Sequence, residues 1–146
     1  MDGAGRLARS DRSLRPQVNL GAAAYGALTK DLEALNSRRR ATVMSDRFEI
    51  AAELYYHGLQ SLIFGSAPQV AQWQRWNDAR NTVPRSALVI TFSSANADTA
   101  RRLQASYSKL SRGPVLQYRF GGTVERFSTA WAAQPRTGAA STLFGR

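Results

Sequence analysis

The spacing of apolar side chains constrains the fold of this chain more than any other feature. Within residues 22–37 they recur at helical intervals, so a first helix must bury one face. That face consists of Tyr25, Leu28, Leu32 and Leu35. The same criterion, combined with capping residues and proline or glycine breaks, predicts three more helices. They run from Ser45 to Phe64, from Pro68 towards Asn81, and from Asn96 to Gly113-Pro114.

Two segments show a strand pattern instead. Ala87–Phe92 is a short run of β-branched and aromatic residues, which is typical of a buried strand. Residues 116–127 alternate around Gly121-Gly122, which predicts a hairpin. We therefore expect a mainly α fold with a small β element (α+β). Its core would be an antiparallel four-helix bundle with a short hairpin or sheet and extended basic termini.

The length of 146 residues predicts one globular domain, placed at residues 19–131. Residues 1–18 carry arginine at every third position from Arg6 to Arg15 and predict a basic arm, while residues 132–146 are small and polar and predict an extended tail. No apolar run approaches 18 residues and the first residues are polar. We thus expect neither a membrane span nor a signal peptide.

The chain is poor in the side chains that carry most catalytic chemistry. It has no cysteine and a single histidine, His57, which excludes disulfides, thiol catalysis and zinc sites that need sulfur. Asp46, Glu49 and Glu53 share a helical face and could hold a hard cation, but such a triplet usually forms the solvated side of a helix. We predict that the protein is not an enzyme and has no cofactor and no metal.

The charge is strongly basic. The formal net charge is +10, and 18 of the 20 basic residues are arginine. Arginine binds phosphate through two parallel hydrogen bonds and stacks on bases, so this bias favours a nucleic-acid partner, although a high-GC genome would also enrich arginine. Six arginines near the ends of predicted helices are the candidate phosphate ligands: Arg38, Arg39, Arg40, Arg80, Arg101 and Arg102. The tryptophans Trp73, Trp76 and Trp131 are candidate anchors of a subunit interface.

Several short strings resemble those of the coat proteins of rod-shaped RNA viruses, the tobacco mosaic virus type. The strings are Ala41-Thr42-Val43, Phe48-Glu49, Asp78-Ala79-Arg80-Asn81, Arg112-Gly113, Trp131 and Pro135. The resemblance implies an antiparallel four-helix bundle with RNA bound between subunits, and it makes Arg40 and Arg80 phosphate ligands. The chain departs from the family pattern in its shorter loop between the third and fourth helices and in lacking a clear Arg-x-x-Phe-Glu string near Arg119.

We accordingly predict a structural subunit of a virus particle that self-assembles and contacts nucleic-acid phosphates through arginines. Its partners would be nucleic acid, with single-stranded RNA favoured, and further copies of itself in a large homo-oligomer. Its location would be the virion and, during assembly, the cytoplasm of the host cell. Two alternatives remain open. A phage head, neck or tail connector subunit would form closed rings without nucleic acid, whereas a free-standing basic RNA-binding module would stay monomeric.

Overall fold

The computed structural model describes residues 15–66, 82–93 and 97–145, with side chains from Ala23 onward. These ranges contain four helices and five strands. The helices are α1 (Arg15–Asn36), α2 (Phe48–Tyr56), α3 (Ala97–Ser106) and α4 (Ala139–Phe144). The strands are β1 (Thr42–Ser45), β2 (Leu62–Ile63), β3 (Ser86–Phe92), β4 (Tyr107–Phe120) and β5 (Thr123–Pro135).

The five strands form one mixed sheet in the order β2-β1-β3-β5-β4. Strands β2, β1 and β3 are parallel, whereas β5 runs antiparallel to both β3 and β4. We call the end where the three parallel strands begin the amino end of the sheet, and the end where they finish the carboxyl end. Strand β5 finishes and β4 starts at the amino end, because Ser86 pairs with Ala133 and Tyr107 pairs with Pro135.

Helices cover both faces of the sheet and divide the core into two clusters. On the front face, α1 and α2 pack on the sheet through Leu28, Leu32, Ile50, Leu54 and their neighbours, with Phe127 fully buried beneath them. On the back face, Leu103 of α3 and Leu143 of α4 pack against Met44 and Val89. Since successive residues of a strand point to opposite faces, β3 supplies Leu88 and Ile90 to the front cluster and Ala87 and Val89 to the back cluster.

The predicted mainly α fold with a four-helix-bundle-like core is wrong, because the core is built around the five-stranded sheet. The bundle implied by the resemblance to rod-shaped virus coat proteins is absent for the same reason. The termini predicted to be extended also contain regular structure: α1 begins at Arg15, β5 runs to Pro135, and α4 buries Leu143 and Phe144. The predicted strand Ala87–Phe92 and the hairpin around Gly121-Gly122 are confirmed as β3 and β4–β5.

The predicted second helix, from Ser45 to Phe64, is wrong at both ends. Ser45 belongs to β1, α2 occupies only Phe48–Tyr56, and β2 follows it. Gly58 adopts a positive φ of 91° directly after the helix, a conformation that ends helices and that glycine tolerates. Strand β1 is only four residues long, and three of them are buried, so it lacks the alternation that reveals a half-exposed strand.

The predicted fourth helix is too long, since the chain changes from helix to strand at Tyr107. Strands β4 and β5 pair over almost their whole length, with an irregularity between Arg112 and Val115. A Cβ on Gly113 would collide with the hydroxyl of Thr129, so this bulge needs a glycine.

The hairpin extends past the end of β3 and reaches α1, where the Tyr118 hydroxyl donates a 2.6 Å hydrogen bond to Asp31. The predicted third helix, from Pro68, lies outside the described residues.

Candidate nucleic-acid interface

The three consecutive arginines lie in a short turn between α1 and β1 whose two ends are tied together by one side chain. The Asn36 amide nitrogen donates a 2.7 Å hydrogen bond to the Ala41 carbonyl, and its amide oxygen accepts a 2.8 Å bond from the Ala41 N–H. The Arg40 N–H donates to the Asn36 carbonyl at 2.8 Å, and Arg40 has a left-handed φ of 51°. The turn therefore holds Arg38, Arg39 and Arg40 at the amino end of the sheet, with all three side chains exposed.

Arg39 lies on an aromatic ring. Its guanidinium carbon is 4.1 Å from the ring centroid of Trp131, a distance typical of a cation–π stack. Trp131 lies in β5, pairs with Leu88 of β3 and Ser111 of β4, and packs along the margin of the front cluster. This contact joins a predicted phosphate ligand to a predicted interface tryptophan.

Three further cations reach the same end of the sheet. Arg85 directly precedes β3, and its carbonyl accepts a hydrogen bond from the Gln134 N–H. Arg136 directly follows β5, and its Nε donates to the Gln104 carbonyl at 3.1 Å. Lys109 pairs with Ala133 near the start of β4. We call the six together the cationic surface: Arg38, Arg39, Arg40, Arg85, Lys109 and Arg136.

No described carboxylate forms an ion pair with the cationic surface. All six side chains belong to exposed residues. In the ranges that the structure describes, ion pairs join Asp98 to Arg101 and to Arg102, and neither involves the cationic surface. A group of like charges that stays exposed and unpaired is destabilising by itself, so it favours an anionic partner from outside the chain.

The structure does not bring Arg101 and Arg102 to this surface. Both lie on α3, which packs on the back face, and both contact Asp98. The side chain of Arg102 is only 19% exposed, and its Nη1 donates a 2.8 Å hydrogen bond to the Thr142 carbonyl. Arg102 thus connects α3 to α4, and Arg101 is exposed on the same helix. Neither lies in the α1–β1 turn, and their role as phosphate ligands stays a prediction. Arg80, Trp73 and Trp76 lie outside the described residues.

Sequence reasoning missed Arg85, Lys109 and Arg136. Each flanks or begins a strand, but their proximity depends on β4 and β5 starting and ending at the amino end of the sheet. That register is a tertiary property. The one available signal was the position of Arg85 immediately before the predicted strand Ala87–Phe92.

The carboxyl end of the sheet has a different character. Asp46 directly follows β1, is 8% exposed, and accepts a 2.6 Å hydrogen bond from the Thr99 hydroxyl. Burial raises the pKa of Asp46 above its ordinary value, against the lowering effect of the bond from Thr99. The bond joins the end of β1 to the first turns of α3, so Asp46 has a structural role at this end.

Asp46, Glu49 and Glu53 do not share a solvated helical face, because Asp46 precedes α2 and is buried. Among the residues with described positions, no three histidine, cysteine or carboxylate side chains come close enough to hold a metal ion.

A cleft of about 410 Å³ separates α3 from the hairpin on the back face, with Asp46, Thr99 and Arg112 in its lining. His57 follows α2, where its ring meets Tyr56 edge-on.

Comparison with family models, with curated proteins and with solved structures finds no match. The helices in the described ranges are too short or too polar to cross a membrane.

Proposed function

We propose that this protein binds the phosphate backbone of nucleic acid through the cationic surface. The observation that carries the proposal is the convergence of six exposed cations at the amino end of the sheet, none of them in an ion pair with a described carboxylate. They come from four separate places in the chain, so the folded protein gathers charges that are far apart in the sequence.

The dimensions of the surface suit a run of phosphates. Neighbouring strands lie about 4.8 Å apart, so the distance from the start of β1 across β3 and β5 to β4 is about 15 Å. Phosphates along one strand of a duplex rise about 3.4 Å each, so several can face the surface at once. Contacts of this kind do not read sequence, and they weaken as salt increases.

The test is a salt titration of binding with matched charge removal. Fluorescence anisotropy would follow a labelled 12-nucleotide single-stranded RNA and a duplex of equal length from about 50 to 300 mM salt. The Arg38→Gln/Arg39→Gln/Arg40→Gln variant should bind about a hundredfold more weakly. Its log–log salt slope should be shallower by about two, since each phosphate contact contributes about 0.7 on a single strand.

The control removes the same three charges elsewhere. The Arg101→Gln/Arg119→Gln/Arg126→Gln variant changes exposed residues of α3 and of the outer hairpin. It should keep most of the affinity and the salt slope, and circular dichroism should show both variants folded. Equal losses in the two variants would mean that only net charge matters and would overturn the assignment of the site. The absence of salt-dependent binding by the unmodified protein would overturn the function.

The role as a structural subunit of a virus particle stays a prediction, as do self-assembly and the interface role of Trp131. Negative-stain electron microscopy with and without single-stranded RNA distinguishes the predicted alternatives. A coat subunit would form rods that RNA lengthens, and a phage connector would form closed rings. A free-standing RNA-binding module would remain monomeric.

A further inference from the structure

The side chain of Trp131 lies on the front face of the sheet, at the boundary between the core and solvent. On one side it pairs with Leu88, which is fully buried in the front cluster. On the other side it pairs with Ser111 of β4, which is exposed. Trp131 is half-buried and packs against the front cluster, so packing holds the side chain while part of it stays accessible.

An exposed side chain, and not the core, covers one face of the Trp131 ring. The Arg39 guanidinium lies 4.1 Å from the ring centroid, and Arg39 is exposed along the α1–β1 turn. Cation–π contacts at exposed sites are weak, so a planar group that stacks better can replace the guanidinium. A nucleobase is such a group, because base–aromatic stacking contributes more per contact than an exposed cation–π pair.

Basic residues neighbour Trp131 both on β4 and in the α1–β1 turn. Lys109 is the diagonal neighbour of Trp131 across the β4–β5 pair, at a Cα distance of about 7–8 Å. Arg38 and Arg40 flank Arg39 in the turn that Asn36 fixes. A base on Trp131 would therefore have its own phosphate and the next one within reach of basic side chains.

We propose that Trp131 is a stacking platform for an unpaired nucleobase, and that Arg39 leaves the ring to bind the adjacent phosphate when the base arrives. This inference rests on the proposed function and specifies its ligand as a single strand, since the bases of a duplex already stack on one another. The binding event exchanges one stacking partner of Trp131 for another and adds one phosphate contact.

The experiment compares an oligonucleotide that has bases with one that lacks them. Oligo(dT) of 12 nucleotides and an abasic strand of equal length carry the same phosphates, so their difference in affinity isolates stacking. The unmodified protein should bind oligo(dT) about tenfold more tightly than the abasic strand. Trp131→Leu should abolish that difference and keep the affinity for the abasic strand. Trp131→Phe should retain part of the difference.

A spectroscopic measurement reads the ring without altering it. The chain has three tryptophans, so the Trp73→Phe/Trp76→Phe variant leaves Trp131 as the single indole. Its fluorescence should be quenched by oligo(dT) and much less by the abasic strand. Equal affinity of the unmodified protein for the two strands, or equal quenching by them, would overturn the stacking role and leave the cationic surface intact. Failure to bind either strand would overturn the proposed function itself.

Discussion

The two ends of the sheet use the same charged residue types in opposite ways. At the carboxyl end, two carboxylates bond within the fold: Asp46 accepts a bond from Thr99, and Asp98 pairs with Arg102 at 3.0 Å. At the amino end, the six cations of the cationic surface are exposed and form no ion pair with a described carboxylate. Arginine alone therefore indicates nothing about function. What matters is whether the folded chain itself supplies a hydrogen-bond or ion-pair partner for the arginine side chain.

The largest expected effect on stability separates two arginines that look equivalent in the sequence. Arg102→Gln should lower the free energy of unfolding by about 1.5 kcal/mol, because it removes a charge-assisted bond to the Thr142 carbonyl and the pair with Asp98. Arg38→Gln should change that free energy by less than about 0.5 kcal/mol, since Arg38 is an exposed surface residue. Urea denaturation followed by circular dichroism measures both.

RNA binding by the same two variants should show the reverse order. Arg38→Gln should weaken binding and reduce the salt slope by about 0.7, and Arg102→Gln should leave both unchanged. If Arg38→Gln destabilised the protein as much as Arg102→Gln does, the contrast between the two ends of the sheet would be wrong.

A smaller effect tests whether the α1–β1 turn, which carries three cations of the cationic surface, is already ordered before RNA binds. Asn36→Ala removes both hydrogen bonds to Ala41 and should cost about 1 kcal/mol of stability. It should also weaken RNA binding about threefold with an unchanged salt slope, because the same charges remain but must be ordered on binding. Ser37→Ala is the matched control, since Ser37 begins the same turn and its hydroxyl donates an exposed bond to the Ala34 carbonyl of α1. Equal RNA affinities of the two variants would show that ordering of the turn before binding does not contribute to the affinity.

The smallest effect concerns the pH dependence of stability at the carboxyl end. Burial raises the pKa of Asp46 above its value of 3.8 in an unfolded chain, so the folded protein takes up this proton at a higher pH than the unfolded chain. Folding therefore gains stability as pH falls from neutral through the raised pKa, down to about 3.8. Asp46→Asn has no such proton and should lose this gain.

Thermal unfolding of the unmodified protein and of Asp46→Asn between pH 7 and pH 4 measures this contribution. The difference in Tm should shift in favour of the unmodified protein as pH falls. A difference that stayed constant over this range would show that Asp46 keeps an ordinary pKa in the folded state.

The parts of the fold that sequence predicted correctly are those with local patterns. Ala87–Phe92 is a continuous apolar run, and Gly121-Gly122 separates two alternating segments, so both β3 and the hairpin could be predicted. Strand β1 could not, because it has four residues of which three consecutive ones are buried, so it shows no periodicity, and the pairing of Met44 with Leu62 and Val89 is not a local property. The stripe around α2 then suggested a longer helix than the chain forms.

The same distinction applies to the candidate site. Arg38, Arg39 and Arg40 are consecutive, so their clustering was visible before any fold was known. Arg85 and Arg136 join them because β5 returns to the start of β3, which the register determines. The contacts of Arg102 could not be predicted, because its solvent exposure and its bond to Thr142 depend on α4, a helix the sequence did not predict.

The bulge in β4 also protects the protein against aggregation. Strand β4 is the outermost of the described strands on its side of the sheet, and alternate residues along its 14-residue length turn N–H and C=O groups outward, which would template strand pairing between copies. Gly113-Pro114 interrupts that row in its middle, and Pro114 has no N–H to donate. Lys109, Arg112 and Arg119 place like charges along the rest, so two copies meeting strand to strand would repel each other. Lys109 therefore contributes both to this protection and to the cationic surface.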